Sequence, residues 1–295
     1  MKSLKLRLKP DVRPKVPPLN YRHHFHAGNF ADLLKHALWL RLLVRLTADP
    51  GPLTVVDTHA GAGLYDLQDA MAQRSREAEA GIARLMAADA PGVFAPLKAA
   101  VTAENPDGKL RYYPGSPLLT VRALRKGDRF VGCELREDDQ ATLQALLDQR
   151  ARGRAEARAV LADGYAELGA GADRRRHAYI IDPPFERGDE YAQIIDGVAR
   201  ALDADPRAVI AIWTPLKDLE TFDFLLRGLE AIDPPSLLVA EARLRPLMDP
   251  MKMNGTAMLF VNAPELQADA RAAAEWVVAT CGERGGKAQV RRLVG

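Results

Sequence analysis

The sequence predicts an α/β fold: a parallel sheet with helices on both faces and a helical insertion after its first strand. Three observations carry this. Short apolar runs alternate with helical patterns, the mark of consecutive βα units. Four of these runs end in an acid, at Asp57, Glu134, Asp163 and Asp182. The spacings between those acids are 77, 29 and 19 residues. The two shorter ones suit one helix plus one strand each. The longest leaves roughly 50 residues beyond a single βαβ unit, room for an insertion.

The chain has 295 residues, enough for one large or two modest domains with a real core. Apolar residues make up 47% and charged residues 27%, ordinary values for a globular protein. No run is long enough to span a membrane. The first residues lack the apolar segment of a secretory signal. The only cysteines, Cys133 and Cys281, fit a reducing cytoplasm rather than a disulfide framework.

Residues 1–19 form a basic arm carrying Pro10, Pro14, Pro17 and Pro18, with no core of its own. Net charge is only +2, but bases also cluster at Arg122–Arg129, Arg150–Arg154 and Arg174–Arg176. Such patches can meet a polyanion; taken singly, each reads better as a solvated surface. A block rich in aromatic and imidazole groups follows the arm, from Asn20 to Asn29. Asn29 is placed to cap a helix running to about Thr47, with Asp32 in its first turn. That helix is apolar on most of its circumference, so it should be buried against the sheet.

Leu53–Val56 is the first strand, ending in Asp57-Thr58-His59-Ala60-Gly61-Ala62-Gly63. Residues 68–111 form the insertion, with helical patterns through Ile82, Leu85 and Met86 and through Val93, Leu97 and Val101. Residues 20–67 and 112–295 form the main domain. Ser116 should cap the returning helix, with Pro117 at its first position. Strands are expected at 130–133, 157–161, 178–181 and 208–213, with helices over 135–151, 190–202 and 217–230. Strands 236–242 and 257–261 are joined by a loop too short for a helical crossover, so they should be antiparallel. A helix over 265–281 and a short strand over 287–293 close the chain.

The candidate chemistry sits at strand ends, where open α/β sheets bind ligands. Gly61 and Gly63 allow a ligand to approach the backbone. A dinucleotide fingerprint would need a third glycine where Asp66 stands, and a P-loop would need Gly-Lys-Ser/Thr, also missing. Glu134 can accept both ribose hydroxyls of a nucleoside-like cofactor. Asp163-Gly164 can reach an adenine amino group. Asp182-Pro183-Pro184-Phe185 places a carboxylate, a stiff backbone and a ring together. The carboxylate and nearby carbonyls can accept hydrogen bonds from an exocyclic amine while the ring stacks on its base. Each acid alone could be a simple cap or turn. Four in a row, with the glycine loop, point to S-adenosylmethionine and an amine target.

Several blocks carry a resemblance: Tyr21 to His36, Asp57 to Gly63, Tyr112 to Pro117, Asp163-Gly164, Asp182 to Phe185 and Met253 to Thr256. Together they resemble the RlmJ family of bacterial 23S ribosomal RNA adenine-N6 methyltransferases, over about residues 20–292. The resemblance implies a Rossmann-like class I S-adenosylmethionine-dependent methyltransferase with a small helical subdomain. It implies methylation of N6 of one adenine, the adenine 2030 type site of the family, in 23S ribosomal RNA before full ribosome assembly, with S-adenosylhomocysteine as product. It implies a cytoplasmic monomer with no membrane partner. His36, His59, Ser116, Glu134, Asp163, Gly164 and Asp182 match positions that touch the cofactor, beside Gly61 and Gly63. Asp182 matches the catalytic acid, working with Pro183 and Phe185. Tyr21 matches a position at the RNA, with His23 and Lys35 in the same motif. Residues 1–19 have no counterpart in shorter members, and Phe185 replaces a frequent Tyr, keeping the stacking face.

Three other readings compete. His23, His24, His26 and His36 lie close together, but no cysteine or acid cluster joins them, which argues against zinc. The same Asp-Pro-Pro-Phe chemistry suits a DNA adenine or a protein amide. A non-catalytic RNA-binding module would have no need of Gly61, Gly63, Glu134, Asp163 and Asp182 together.

Overall fold

The computed structural model describes residues 25–171, 173–249 and 251–295. The expected basic arm, Tyr21, His23 and His24 lie outside the described residues. Helix α1 (Phe30–Ala48) starts as expected: the Asn29 side chain accepts from the amides of Ala31 and Asp32. It is buried along most of its length, because residues such as Leu33, Leu38 and Leu42 leave it little polar face.

Strand β1 (Leu53–Asp57) is followed by the glycine loop and the short strand β2 (Leu64–Asp66). Residues 70–104 hold helices α2 (Ala70–Ser75), α3 (Glu77–Ala80), α4 (Ile82–Ala87) and α5 (Ala95–Glu104). Of the two expected helical patterns, α4 carries Ile82, Leu85 and Met86, and α5 carries Leu97 and Val101. The short helices α2 and α3 precede them, separated from each other by the left-handed Arg76 and from α4 by the Gly81 turn. Gly81 has no room for a side chain, since a Cβ there would lie 2.1 Å from the Gly28 carbonyl oxygen. The segment shares its core with the rest of the chain: Ile82, Leu85, Phe94 and Leu97 pack in one cluster with α1.

Strand β3 (Tyr112–Pro114) pairs antiparallel with β2 and leads into α6 (Ser116–Ala123). Gly115, not Ser116, stands at the cap position of α6. The Ser116 hydroxyl is diverted to Asp57, 2.7 Å away. The chain then alternates through β4 (Arg129–Glu134), α7 (Glu137–Arg150), β5 (Glu156–Leu161) and β6 (Arg176–Ile181). No helix forms between β5 and β6 among the described residues. Residues 164–171 instead make successive turns, with Gly169 and Gly171 at positive φ, a conformation that ends helices. Then come α8 (Glu190–Ala204), β7 (Val209–Leu216), α9 (Leu219–Ala231), β8 (Leu237–Arg243), β9 (Gly255–Val261), α10 (Gln267–Cys281) and β10 (Lys287–Val294).

The main sheet has the order β10-β8-β9-β7-β6-β1-β4-β5. Strands β5, β4, β1, β6 and β7 are parallel. Strands β8 and β9 are antiparallel as expected, but β9 returns between β7 and β8. Alternation along each strand divides two cores. Val55, Phe130, Ile180 and Ala211 face one side, with α1, α6 and α10. Val56, Val131, Ile181 and Ile212 face the other, with α8 and α9. The result is the expected Rossmann-like mixed α/β fold, with helices on both faces of the sheet. The connections leave β1 toward β4 on one side and return to β6 on the other, so a crevice opens at the carboxyl ends of these strands.

The arginine clusters between residues 122 and 176 are used largely inside the fold. Arg125 pairs with Asp128 and donates to the carbonyls of Thr47 and Gly51. Arg122 and Arg150 share Glu104, and Arg176 donates to the carbonyls of Leu46 and Gly51.

Candidate active site

The crevice holds a cleft of about 790 Å³ whose walls include His36, His59, Gly61, Ser116, Glu134 and Gly164. Backbone steps made by glycine shape it. Gly61 and Gly63 have φ of 62° and 80°, the left-handed region that glycine occupies without penalty. Gly164 lets its loop press against the end of β1: a Cβ there would lie 2.0 Å from the Thr58 carbonyl oxygen.

Titratable groups on these walls are displaced by their surroundings. Burial raises the Asp57 carboxyl to about 7, although Ser116 donates to it. Burial also raises Glu134 to about 7, with the neighbouring Asp139 adding to the effect. His59 is pushed down to about 3 by burial and then by Arg187, so its ring is neutral. Its Nδ1 lies 2.8 Å from the Thr58 hydroxyl, and its ring meets Tyr165 edge-on at 5.0 Å.

A second cavity, of about 900 Å³, adjoins the first. Lys35, Asp182 and Pro184 line both. The Lys35 ammonium sits between two carboxylates, 2.6 Å from Asp182 Oδ2 and 2.8 Å from Asp32 Oδ1. It also lies 5.5 Å above the Trp213 ring. Burial would lower the Lys35 pKa, but the two acids outweigh it and hold the group above the ordinary lysine value. The ion pair occupies Asp182 Oδ2 and leaves Oδ1 as the oxygen for another donor.

The second cavity is aromatic. Trp213, within β7, is fixed by its indole N–H, which donates to the Thr256 hydroxyl at 2.7 Å. Phe185 meets Trp213 at 5.6 Å in a T-shaped contact and Tyr191 at 5.0 Å. The Phe185 backbone lies in the left-handed region, φ 52°, where a side chain is strained. Pro183 and Pro184 fix the approach to it. On the opposite wall, His26 Nδ1 lies 3.0 Å from Glu77 of the inserted segment, and Asn29 donates to the same carboxylate at 2.9 Å. The hydrogen bond that His26 donates to Glu77 is the main cause of a raised His26 pKa.

The structure gathers most of the expected residues but not all in the expected places. His36, His59, Gly61, Ser116, Glu134, Gly164 and Asp182 face the first cleft. Gly63 lies behind it, packed toward Leu143 and Leu146. Asp163 accepts the Tyr165 amide at 3.0 Å, holding the loop that presents Gly164. Lys35 stands at the junction of the two cavities; Pro183 is buried and lines neither. Sequence reasoning missed Thr58, Tyr65, Arg136, Trp213, Lys217 and Glu77. Trp213 carried a signal, an aromatic at a strand end; Glu77 carried none, because only the docked insertion brings it to His26.

The first cleft fits S-adenosylmethionine by its own chemistry. Gly61, Gly115 and Gly164 line the cleft without side chains, and Glu134 is a carboxyl whose raised pKa hydroxyl donors would relieve. No helix among the described residues is long and apolar enough to cross a membrane.

The chain is 34% identical over 249 residues to "Ribosomal RNA large subunit methyltransferase J" of Escherichia coli strain K12, covering 83% of this chain and 88% of that protein. It is 31% identical over 252 residues to the protein of the same name from Haemophilus influenzae, with the same coverage. A crystal structure of a Legionella pneumophila protein superposes with a TM-score of 0.82 at 27% identity, covering 90% of this chain and 98% of that one. Residues 50–294 match the family described as "Ribosomal RNA large subunit methyltransferase D, RlmJ"; the chain belongs to this family of methyltransferases.

Proposed function

We propose that the protein methylates N6 of one adenine in 23S ribosomal RNA. The supporting observation is the shared wall: Asp182 and Pro184 line both the cleft that fits the methyl donor and the aromatic cavity beside it. A base in the second cavity would stack against Phe185, with its amine directed at Asp182 Oδ1 and the Pro183 carbonyl. Hydrogen bonds from the amine to these oxygens favour a more nucleophilic nitrogen and fix its direction. S-Adenosylmethionine, bound in the first cleft, supplies an electrophilic methyl group. His36, His59, Ser116, Glu134 and Gly164 hold it, with the Asp163 loop behind. Orientation and electrostatics then carry the catalysis. Asp182 directs the lone pair; its proton-accepting role follows transfer. The base must leave its stack to enter, and Phe185 replaces the lost stacking partner.

The family assignment favours ribosomal RNA over DNA or a protein amide as substrate. Asp182→Asn tests the reading. Methyl transfer to protein-free 23S ribosomal RNA should fall at least about a thousandfold, with donor affinity kept within tenfold by calorimetry. An active Asn variant, or methylation of duplex DNA in preference to the RNA, would refute it.

A further inference from the structure

Two methionines stand out on the surface. Met248 is 86% and Met251 is 90% exposed, the most exposed of the large apolar side chains among the described residues. Both lie in the segment between β8 and β9. That segment is not loosely attached. Asn254, fully buried, donates to the carbonyls of Lys217 and Asp249 at 2.9 and 2.7 Å. Its own carbonyl accepts from Leu244, and its amide donates to Leu216 at 2.8 Å. The methionines are therefore held out on an anchored support.

The support borders the second cavity. Met253 and Lys217 line that cavity directly, and Met251 is two residues from Met253, within about 7 Å along an extended chain. Leu219, 56% exposed, stands two residues beyond Lys217 at the start of α9. Lys217 forms no ion pair among the described residues. An apolar rim with an unneutralised cation beside a base-sized cavity matches the chemistry of a single-stranded nucleic acid: flat bases for the thioethers, phosphate for the ammonium.

We infer that Met248 and Met251 grip the unstacked nucleotides flanking the target base, with Lys217 on the adjoining phosphate. This rests on the methyl-transfer reading and adds the surface that delivers the base. Extruding one base leaves its neighbours short of a stacking partner, and the two thioethers supply a soft apolar substitute.

The test uses the full chain and a fluorescein-labelled fragment of protein-free 23S ribosomal RNA. RNA affinity is followed by anisotropy as a function of salt, and donor affinity by calorimetry. Met248→Gln with Met251→Gln should weaken RNA binding about tenfold, the size expected of two sulfur–ring contacts. Its salt slope and donor affinity should stay as they were. Met248→Leu with Met251→Leu should restore most of the RNA affinity. Lys217→Gln should instead flatten the salt slope by about 0.7, one single-strand phosphate contact. Unchanged RNA affinity in the double Gln variant would overturn the inference. Failure of the unsubstituted protein to bind the donor would overturn the methyl-transfer reading and leave the RNA measurement still decisive for the rim.

Discussion

The Lys35 ammonium lies 2.6 Å from the Asp182 carboxylate although the two are 147 residues apart. The pair joins helix α1 to the end of β6 at the place where the two cavities meet. Its lysine side chain is 4% and its aspartate side chain 13% exposed, so water screens the charges little. The pair holds the acid's direction by occupying one oxygen.

Removing the cation should cost both stability and rate. Lys35→Met leaves the carboxylates of Asp32 and Asp182 without their shared partner. Breaking a buried pair this way costs about 3–5 kcal/mol, a fall in Tm on the order of 10 °C by thermal denaturation. Adding Asp32→Asn should recover part of the stability but not the rate. Full activity in Lys35→Met would show that the ammonium does not orient Asp182.

Phe185 should matter through its ring face. Phe185→Ala should lower kcat/KM for the RNA by about ten- to a hundredfold, the worth of one base stacking contact. Phe185→Tyr should act within about threefold of the unsubstituted protein, since only a hydroxyl is added. Equal kinetics for the Ala variant would place the base elsewhere.

Donor affinity should depend on pH through Glu134. Its carboxyl is raised to about 7, chiefly by burial, so it is protonated in the unliganded protein below that pH. Two hydroxyls can be accepted only by the carboxylate. Binding should therefore tighten as pH rises toward about 7, by at most tenfold per pH unit, and level off above it. Calorimetry between about pH 5.5 and about 8.5 measures this, and Glu134→Gln should flatten the curve while weakening binding. The same raised pKa, with that of Asp57 also near 7, has the opposite sign for folding. The unfolded chain ionises first, so the unliganded protein should lose stability as pH climbs from about 4 to about 7. Asp57→Asn should shrink that loss in thermal melts.

Gly164 tests the cleft's shape. A Cβ would lie 2.0 Å from the Thr58 carbonyl oxygen, a backbone atom with no rotamer to change. Gly164→Ala should cost about 1–3 kcal/mol and weaken the donor at least tenfold. Gly153→Ala is the comparison: its φ is positive, but no atom lies within 4 Å of the new methyl, so donor affinity should hold. Normal donor binding in Gly164→Ala would mean that this close approach does not shape the site.

Much of this protein was determined by its sequence alone. Apolar period, strand-end acids and glycines are local properties, and they suffice to place β1, β4, β5 and β6 and to bring Asp57, Glu134 and Asp182 to one edge. The blocks around Tyr21, Asp57, Tyr112 and Asp182 carried the family resemblance as well. What pairs across the chain was decided only in three dimensions. Asn29 was legible as a cap because its partners are two and three residues away. Ser116 was not, because its hydroxyl answers to Asp57, 59 residues distant. The segment between β5 and β6 looked long enough for a helix, and turns at Gly169 and Gly171 with the Gly164–Thr58 approach replaced it. Lys35 is legible in the sequence only as a residue of the RNA-facing motif of Tyr21; the fold places Asp32 and Asp182 around its ammonium. The reason is physical: a buried charge is stable only where its counter-charges converge, and that convergence belongs to the packing of α1 on the sheet, not to any one stretch of chain.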